Sequence, residues 1–194
     1  MSLMRNLPLL GLRTQVILLL VAGRKRAALH RIEQMLTLQP LNLYALSSRV
    51  QLLAQLSMQP ESIASARHLV SVFPDHAAGW FNLAYLLDAD GQLQAAENAF
   101  QMACRLQPRL DRAWYGLGLV HIKQERWADA VEALTRNTAL QPMSPFGWYQ
   151  LARVHADQGE PEKARAIIQR LKGFEPKVAA QLERETGLPP AHPC

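Results

Sequence analysis

This chain predicts an all-α solenoid of stacked helical hairpins, on two observations. A skeleton recurs every 34 residues: Trp80, Trp114 and Trp148 keep that spacing, as do Ala96, Ala130 and Ala164, and Pro40, Pro74, Pro108, Pro142 and Pro176 form a five-member ladder. Within a period, two helix-length segments meet at a turn, as in residues 111–142, where DRAWYGLGLVHIKQERWADAVEALTRNTALQP divides at Glu125-Arg126. A hairpin of this size cannot bury its apolar face alone, so consecutive copies must stack, and the 194 residues read as one array.

The elements follow in order. Residues 1–8 are a short lead-in whose Pro8 is placed to start a helix. Five repeats occupy 9–42, 43–76, 77–110, 111–144 and 145–178. In the first, a helix over roughly 9–22 reaches Gly23, the turn position that Gly91 and Gly159 fill in repeats three and five, where positive φ must be tolerated. Its second helix runs through Ala28, Ile32 and Met35 to Leu38-Gln39-Pro40, a tripeptide that recurs at 106–108 and 140–142. Repeat two departs most, with Leu46 for Trp, Arg49 for Leu, Ser57 for the turn Gly and Ser62 for the small residue; its helices are placed at 43–56 and 61–72, with Pro60 near the turn. In repeats three to five the first-helix Trp is expected to pack against its neighbours, and Ala96, Ala130 or Ala164 lets the paired helices approach closely. Residues 177–187 read as a capping helix turned inward through Val178, Ala179 and Leu182 and ended by Gly187, with a disordered tail over 188–194.

A 34-residue period with Trp, then Leu-Gly (Trp114, Leu117-Gly118), a small residue and a closing Pro resembles the tetratricopeptide repeat (TPR) family over nearly the whole chain. The resemblance implies a right-handed α-solenoid of five TPR pairs that presents surfaces and carries out no reaction. It also implies an inner groove lined by first-helix residues. Repeat two supplies Tyr44, Ser47 and Gln51, and repeat three supplies Phe81, Asn82, Tyr85 and Asp88. Repeat four supplies Arg112, Tyr115 and Lys123, and repeat five supplies Phe146, Tyr149 and Arg153. The fifth repeat position is thus the aromatic row Phe81, Tyr115, Tyr149. Tyr and Phe bury large area at low entropic cost and the guanidiniums pair with carboxylates, so this groove suits a peptide segment of a protein partner. The same rings could instead fill space between helices; the groove reading is favoured because Trp and Leu already hold the positions nearer the seam. The Lys, Asn and Arg set of the family's chaperone-tail clamp is absent apart from Asn82.

Charge and composition narrow the classes. The net charge of +5 lies at one end: residues 1–76 hold eight Lys or Arg against three acids, while the remainder has 13 of each sign. An anionic surface or acidic partner would therefore be attracted there. The two cysteines, Cys104 and Cys194, make no disulfide framework, and Cys104 reads as a small packed hydrophobe. Gly116-Leu117-Gly118 has neither the strand nor the Gly-Lys-Ser of a phosphate loop. His121 and His155 stand one repeat apart and read as core imidazoles with a polar neighbour, a shared metal site being the alternative. No catalytic constellation, cofactor, metal site or small-molecule substrate is expected, and nucleic-acid binding is disfavoured because the groove offers aromatics with alternating charge.

The first helix is anomalous. Leu10, Ile17, Leu20 and Val21 take its groove and edge positions while Leu12, Val16 and Leu19 serve the seam, so it is apolar nearly all round and must be covered. Arg13 and Arg24 bracket ten residues, against the ~20 that a bilayer needs. A cleaved signal peptide is disfavoured, since cleavage near Ala22-Gly23 would halve a repeat. The protein is therefore expected to be cytoplasmic, a scaffold or adaptor that docks a homo- or hetero-oligomeric assembly through this helix. The alternative is an assembly factor held on an anionic membrane by the helix and Arg24, Lys25, Arg26 and Arg31.

Overall fold

The structure, a computed structural model, describes residues 2–188, with side chains from residue 9. All eleven elements among the described residues are α-helices: α1 Ser2–Val21, α2 Lys25–Leu38, α3 Leu43–Gln55, α4 Gln59–Val72, α5 Ala77–Ala89, α6 Leu93–Leu106, α7 Asp111–Lys123, α8 Trp127–Leu140, α9 Pro145–Asp157, α10 Pro161–Lys172 and α11 Pro176–Thr186. They fall into two compact units, residues 1–95 and 96–194.

The hairpin turn repeats in geometry as well as in sequence. Positions 23, 57, 91, 125 and 159 all take positive φ, three of them as Gly, the others as Ser57 at 59° and Glu125 at 58°. Each turn closes with an N–H reaching five residues back: Arg24 to the Leu19 carbonyl, Met58 to Leu53, Gln92 to Leu87, Arg126 to His121 and Glu160 to His155, at 2.8–3.0 Å. That bond satisfies a carbonyl orphaned at the helix end, and the left-handed residue is what brings donor and acceptor together. Ser57 and Glu125 carry the same geometry at a steric cost that glycine avoids.

In the first unit, α1, α2 and α3 enclose Val16, Ala28, Ile32, Met35, Ala45 and Leu52. Ser62 is wholly buried at the small-residue position, and its hydroxyl donates to the Val50 carbonyl of α3 at 3.0 Å, which satisfies it. In the second unit, α7 meets α8 so closely that a Cβ on Gly118 would stand 2.7 Å from Leu134 Cγ. Leu134, Leu151, Ile168, Leu171, Ala179 and Leu182 form its core. Cys104 is buried and free, and burial pushes its thiol up to about 12, which makes it a packed hydrophobe.

Three expectations need correction. The tryptophans pack against their neighbours but stay half-buried, a shallower position than their seam role implies, because each ring lies over the incoming proline turn. Trp80, Trp114 and Trp148 donate their indole N–H to the carbonyls of Pro74, Pro108 and Pro142 at 2.7, 2.9 and 3.0 Å. The first helix starts at Ser2, so the lead-in belongs to α1 and Pro8 lies inside it. At the other end Leu188 packs on the C-terminal core instead of opening the tail; residues 189–194 lie outside the described residues. The capping helix is present as α11, with Gly187 at φ 65° ending it.

The turns yield a stability test. Glu125→Gly removes the left-handed penalty, which is about 1–2 kcal/mol less the entropy Gly adds to the unfolded chain, so thermal melting should rise by a few degrees. Gly159→Val at the equivalent turn should lower it.

Candidate peptide-binding groove

In the second unit three of the expected groove residues, Tyr115, Phe146 and Tyr149, come together. Tyr115 of α7, Pro145, Phe146, Tyr149 and Gln150 of α9, and Val178 and Gln181 of α11 line a hollow of about 340 Å³. Helical spacing explains the α9 share, because residues three and four apart lie on one face. Phe146 is 68% exposed, although an aromatic ring gains from burial. Tyr115 and Tyr149 are half-buried, each with one edge against the C-terminal core, so they both fill space and line the hollow.

Tyr149 is held in place. Its hydroxyl donates to Glu185 Oε2 of α11 at 2.5 Å, Gln181 Nε2 donates to Glu185 Oε1 at 2.8 Å, and the Arg153 guanidinium lies 5.9 Å from the Tyr149 ring centre. The Tyr149 bond, then the Gln181 bond, holds the Glu185 carboxyl below its usual range, and Glu185 pushes the Tyr149 phenol up. Gln181, which lines the hollow, and Glu185, which braces Tyr149, lie in α11 beyond residue 178, where the repeat pattern assigns no groove positions; Val178 was expected to face inward and also lines the hollow.

The remaining predicted residues are placed individually. Arg112, Lys123 and Arg153 are exposed. In the first unit Tyr85 is 64% exposed, Phe81, Asn82 and Asp88 are half-buried, and Gln51 is exposed. Tyr44 is half-buried in the N-terminal core beneath Arg13, whose guanidinium lies 4.5 Å from its ring centre. Of the docking residues, Leu10 is 65%, Ile17 49%, Leu20 39% and Val21 84% exposed, and Leu18, which the sequence reading passed over, is 64% exposed. Among the described residues no helix is long and apolar enough to cross a membrane, and no group of His, Cys, Asp and Glu could hold a metal ion.

Both core histidines are buried, and their partners differ by one exchange along the repeat. His155 Nδ1 meets Glu160 Oε2 at 2.6 Å. One period earlier Arg126 replaces that Glu, so His121 Nδ1 has no partner. Arg126 turns instead to Glu97 of α6 at 2.7 Å and to Asp129 at 2.6 Å, and Gln124 adds a bond to Glu97 at 3.2 Å. Burial pushes the Glu97 carboxyl up, but the Arg126 and Gln124 bonds outweigh it and hold the group below its usual range.

Comparison with known proteins follows that geometry. The tetratricopeptide repeat family model matches residues 60–111 and 115–179. A 44-residue stretch is 48% identical to the cell division cycle protein 27 homolog of Caenorhabditis elegans; it takes up 23% of this chain and 6% of that protein's length. Among solved structures, MamA 41-end from Desulfovibrio magneticus RS-1 has a TM-score of 0.76 at 19% identity, covering 90% of this chain and 94% of its own. YrrB, described as a TPR protein with an unusual peptide-binding site, has a TM-score of 0.75 at 16% identity, covering 87% of this chain and 88% of its own. These likenesses carry the fold, an α-solenoid of helical hairpins.

Glu97 yields a pH test. Its depressed carboxyl contributes stability that is present above the unfolded value, about 4.3, and is lost as pH falls through the lower folded value. Glu97→Gln should lower stability at neutral pH and flatten the acid limb of a denaturation curve below about pH 4.5; an unchanged limb would exclude this network as its cause. The repeat period, the five hairpins and the family-model match over residues 60–111 and 115–179 place the chain in the tetratricopeptide repeat family, whose members are protein–protein interaction scaffolds.

Proposed function

We propose that this scaffold captures a segment of a partner protein in the groove, seating one bulky apolar side chain in the hollow between Tyr115, Phe146, Tyr149 and Val178. The exposed Phe146 ring beside a fixed tyrosine carries the reading. A hollow of about 340 Å³ suits a single large side chain, and its wall is already in place before binding, so little ordering cost falls on the scaffold. Arg153, exposed beside Tyr149, is positioned to take a carboxylate from the same segment. Within the first unit, taken by itself, the exposed Tyr85 with Phe81, Asn82 and Asp88 offers aromatic and polar contact of the same chemistry.

A second reading concerns α1. Its exposed Leu10, Ile17, Leu18 and Val21 present an aliphatic face that suits docking into a larger protein assembly. Groove and face then give the chain two attachment points, which is what an adaptor needs.

Peptides selected from a displayed random library on the full chain test the groove. The selected sequences should share a large apolar residue near an acid. Phe146→Ala and Tyr149→Ala together should weaken their affinity by about tenfold or more, each ring being an aromatic anchor, while melting moves by only a few degrees. Selected peptides that bind the double variant equally well would remove the hollow from the reading.

A further inference from the structure

In each repeat two first-helix positions meet the preceding second helix. The third position is small and the tenth aliphatic: Ala45 and Leu52 in α3, Gly79 and Leu86 in α5, Ala113 and Val120 in α7, Gly147 and Val154 in α9. All eight are buried, and the most open of the four aliphatics is Leu86 at 5%. The preceding helix does the covering. A Cβ on Gly147 would stand 2.1 Å from Asn137 Oδ1 of α8, one on Gly79 would stand 3.3 Å from Val70 of α4, and Ala45 and Leu52 share their core with Ile32 and Met35 of α2.

The first helix repeats this pattern with Gly11 and Leu18. Here nothing lies within 4 Å of a Cβ built on Gly11, and Leu18 is 64% exposed. Thus α1 carries the receiving half of a helix seam, notch and apolar knob together, and no described residue supplies the other half.

We infer that α1 receives an amphipathic helix of a partner protein, laid antiparallel to it where a preceding second helix would lie, with an acidic residue in the incoming helix's first turn. The inference rests on the reading of α1 as a protein-docking face and names what docks. Charge supports the orientation. An antiparallel helix brings its N-terminus beside residues 23–26, where Arg24, Lys25 and Arg26 make no side-chain hydrogen bond or ion pair with any described residue, and where the first turn of α2 holds no acid. Three of the five second helices carry such an acid, Glu61 in α4, Asp129 in α8 and Glu162 in α10, while α2 and α6 do not. A second copy would meet this end with α1 or α11, neither of which has an acid in its first turn. A lipid surface could use the aliphatics and the cations but has no use for a notch at Gly11.

The probe is a hydrocarbon-stapled peptide of residues 58–74, the segment that already covers Gly79, added to the isotope-labelled full chain. Amide shifts should move in α1 and around residues 23–26 and saturate. Gly11→Leu and Leu18→Glu, both in open space and so expected to leave circular dichroism unchanged, should each weaken binding by about tenfold, and Glu61→Lys in the peptide should weaken it several-fold. Absent or unsaturated shifts, or binding indifferent to Leu18→Glu, overturn the inference. Two parallel measurements separate it from the reading beneath it. If the chain self-associates in sedimentation, or floats with phosphatidylglycerol vesicles, through Leu18 while the peptide does nothing, the face is a docking face and the helix is the wrong occupant. If Leu18→Glu alters none of the three, α1 is not a docking face.

Discussion

Close approach of one hairpin to the next is the constraint on which this structure depends. At the third position of α3, α5, α7 and α9 the residue is a buried Ala or Gly, and at Gly147 even a Cβ would meet the side-chain amide oxygen of Asn137 in the preceding second helix. Within hairpins the same rule appears at Ala28, Ser62, Ala96, Ala130 and Ala164, all without exposed surface. Tight packing of this kind leaves backbone and polar groups little tolerance, so each helix must bring compatible partners. Ser62 satisfies that demand by donating to α3. Asn137, pressed against Gly147, does so by donating its amide to the Asp111 carbonyl at 2.9 Å.

Much of this was legible in the sequence, because period, turn and small-residue positions are local properties that each repeat restates. Gly23, Gly91 and Gly159 marked the turns directly; Ser57 and Glu125 occupy the same conformation without advertising it. The tryptophans misled, since periodic recurrence argues for packing but not for depth, and a ring can recur because its N–H bonds the proline carbonyl six residues back. Leu18 was passed over for the opposite reason. At its position a leucine is ordinary, and only its exposure distinguishes it. The α11 residues around Tyr149 left no periodic signal, because Glu185 reaches Tyr149 across 36 residues through tertiary packing alone.

The two histidines show how a repeat scaffold absorbs change. Exchanging Glu for Arg one step past the turn converts a local His–Glu bond into a link between hairpins, from Arg126 to Glu97 of α6. The Glu97 side chain is only 5% exposed, so removing Arg126 would strand a buried charge. His121 bears the cost of the exchange as a buried nitrogen without a partner. Repetition therefore constrains backbone and apolar positions strictly while leaving polar pairings to be redrawn.

Placement of α11 connects stability with the groove. Ala179 and Leu182 are wholly buried against the second unit's core, so this helix closes an apolar face that α9 and α10 would otherwise leave open. Its other side supplies Val178 and Gln181 to the hollow and Glu185 to Tyr149. A cap that also forms one wall ties the hollow to the core it seals, because the side chains facing the hollow stand on the same short helix as those buried beneath it. Nothing described closes the Gly11–Leu18 face of α1 in the same manner, and the contrast between one sealed seam and one open seam is the physical basis for assigning the open one to another molecule.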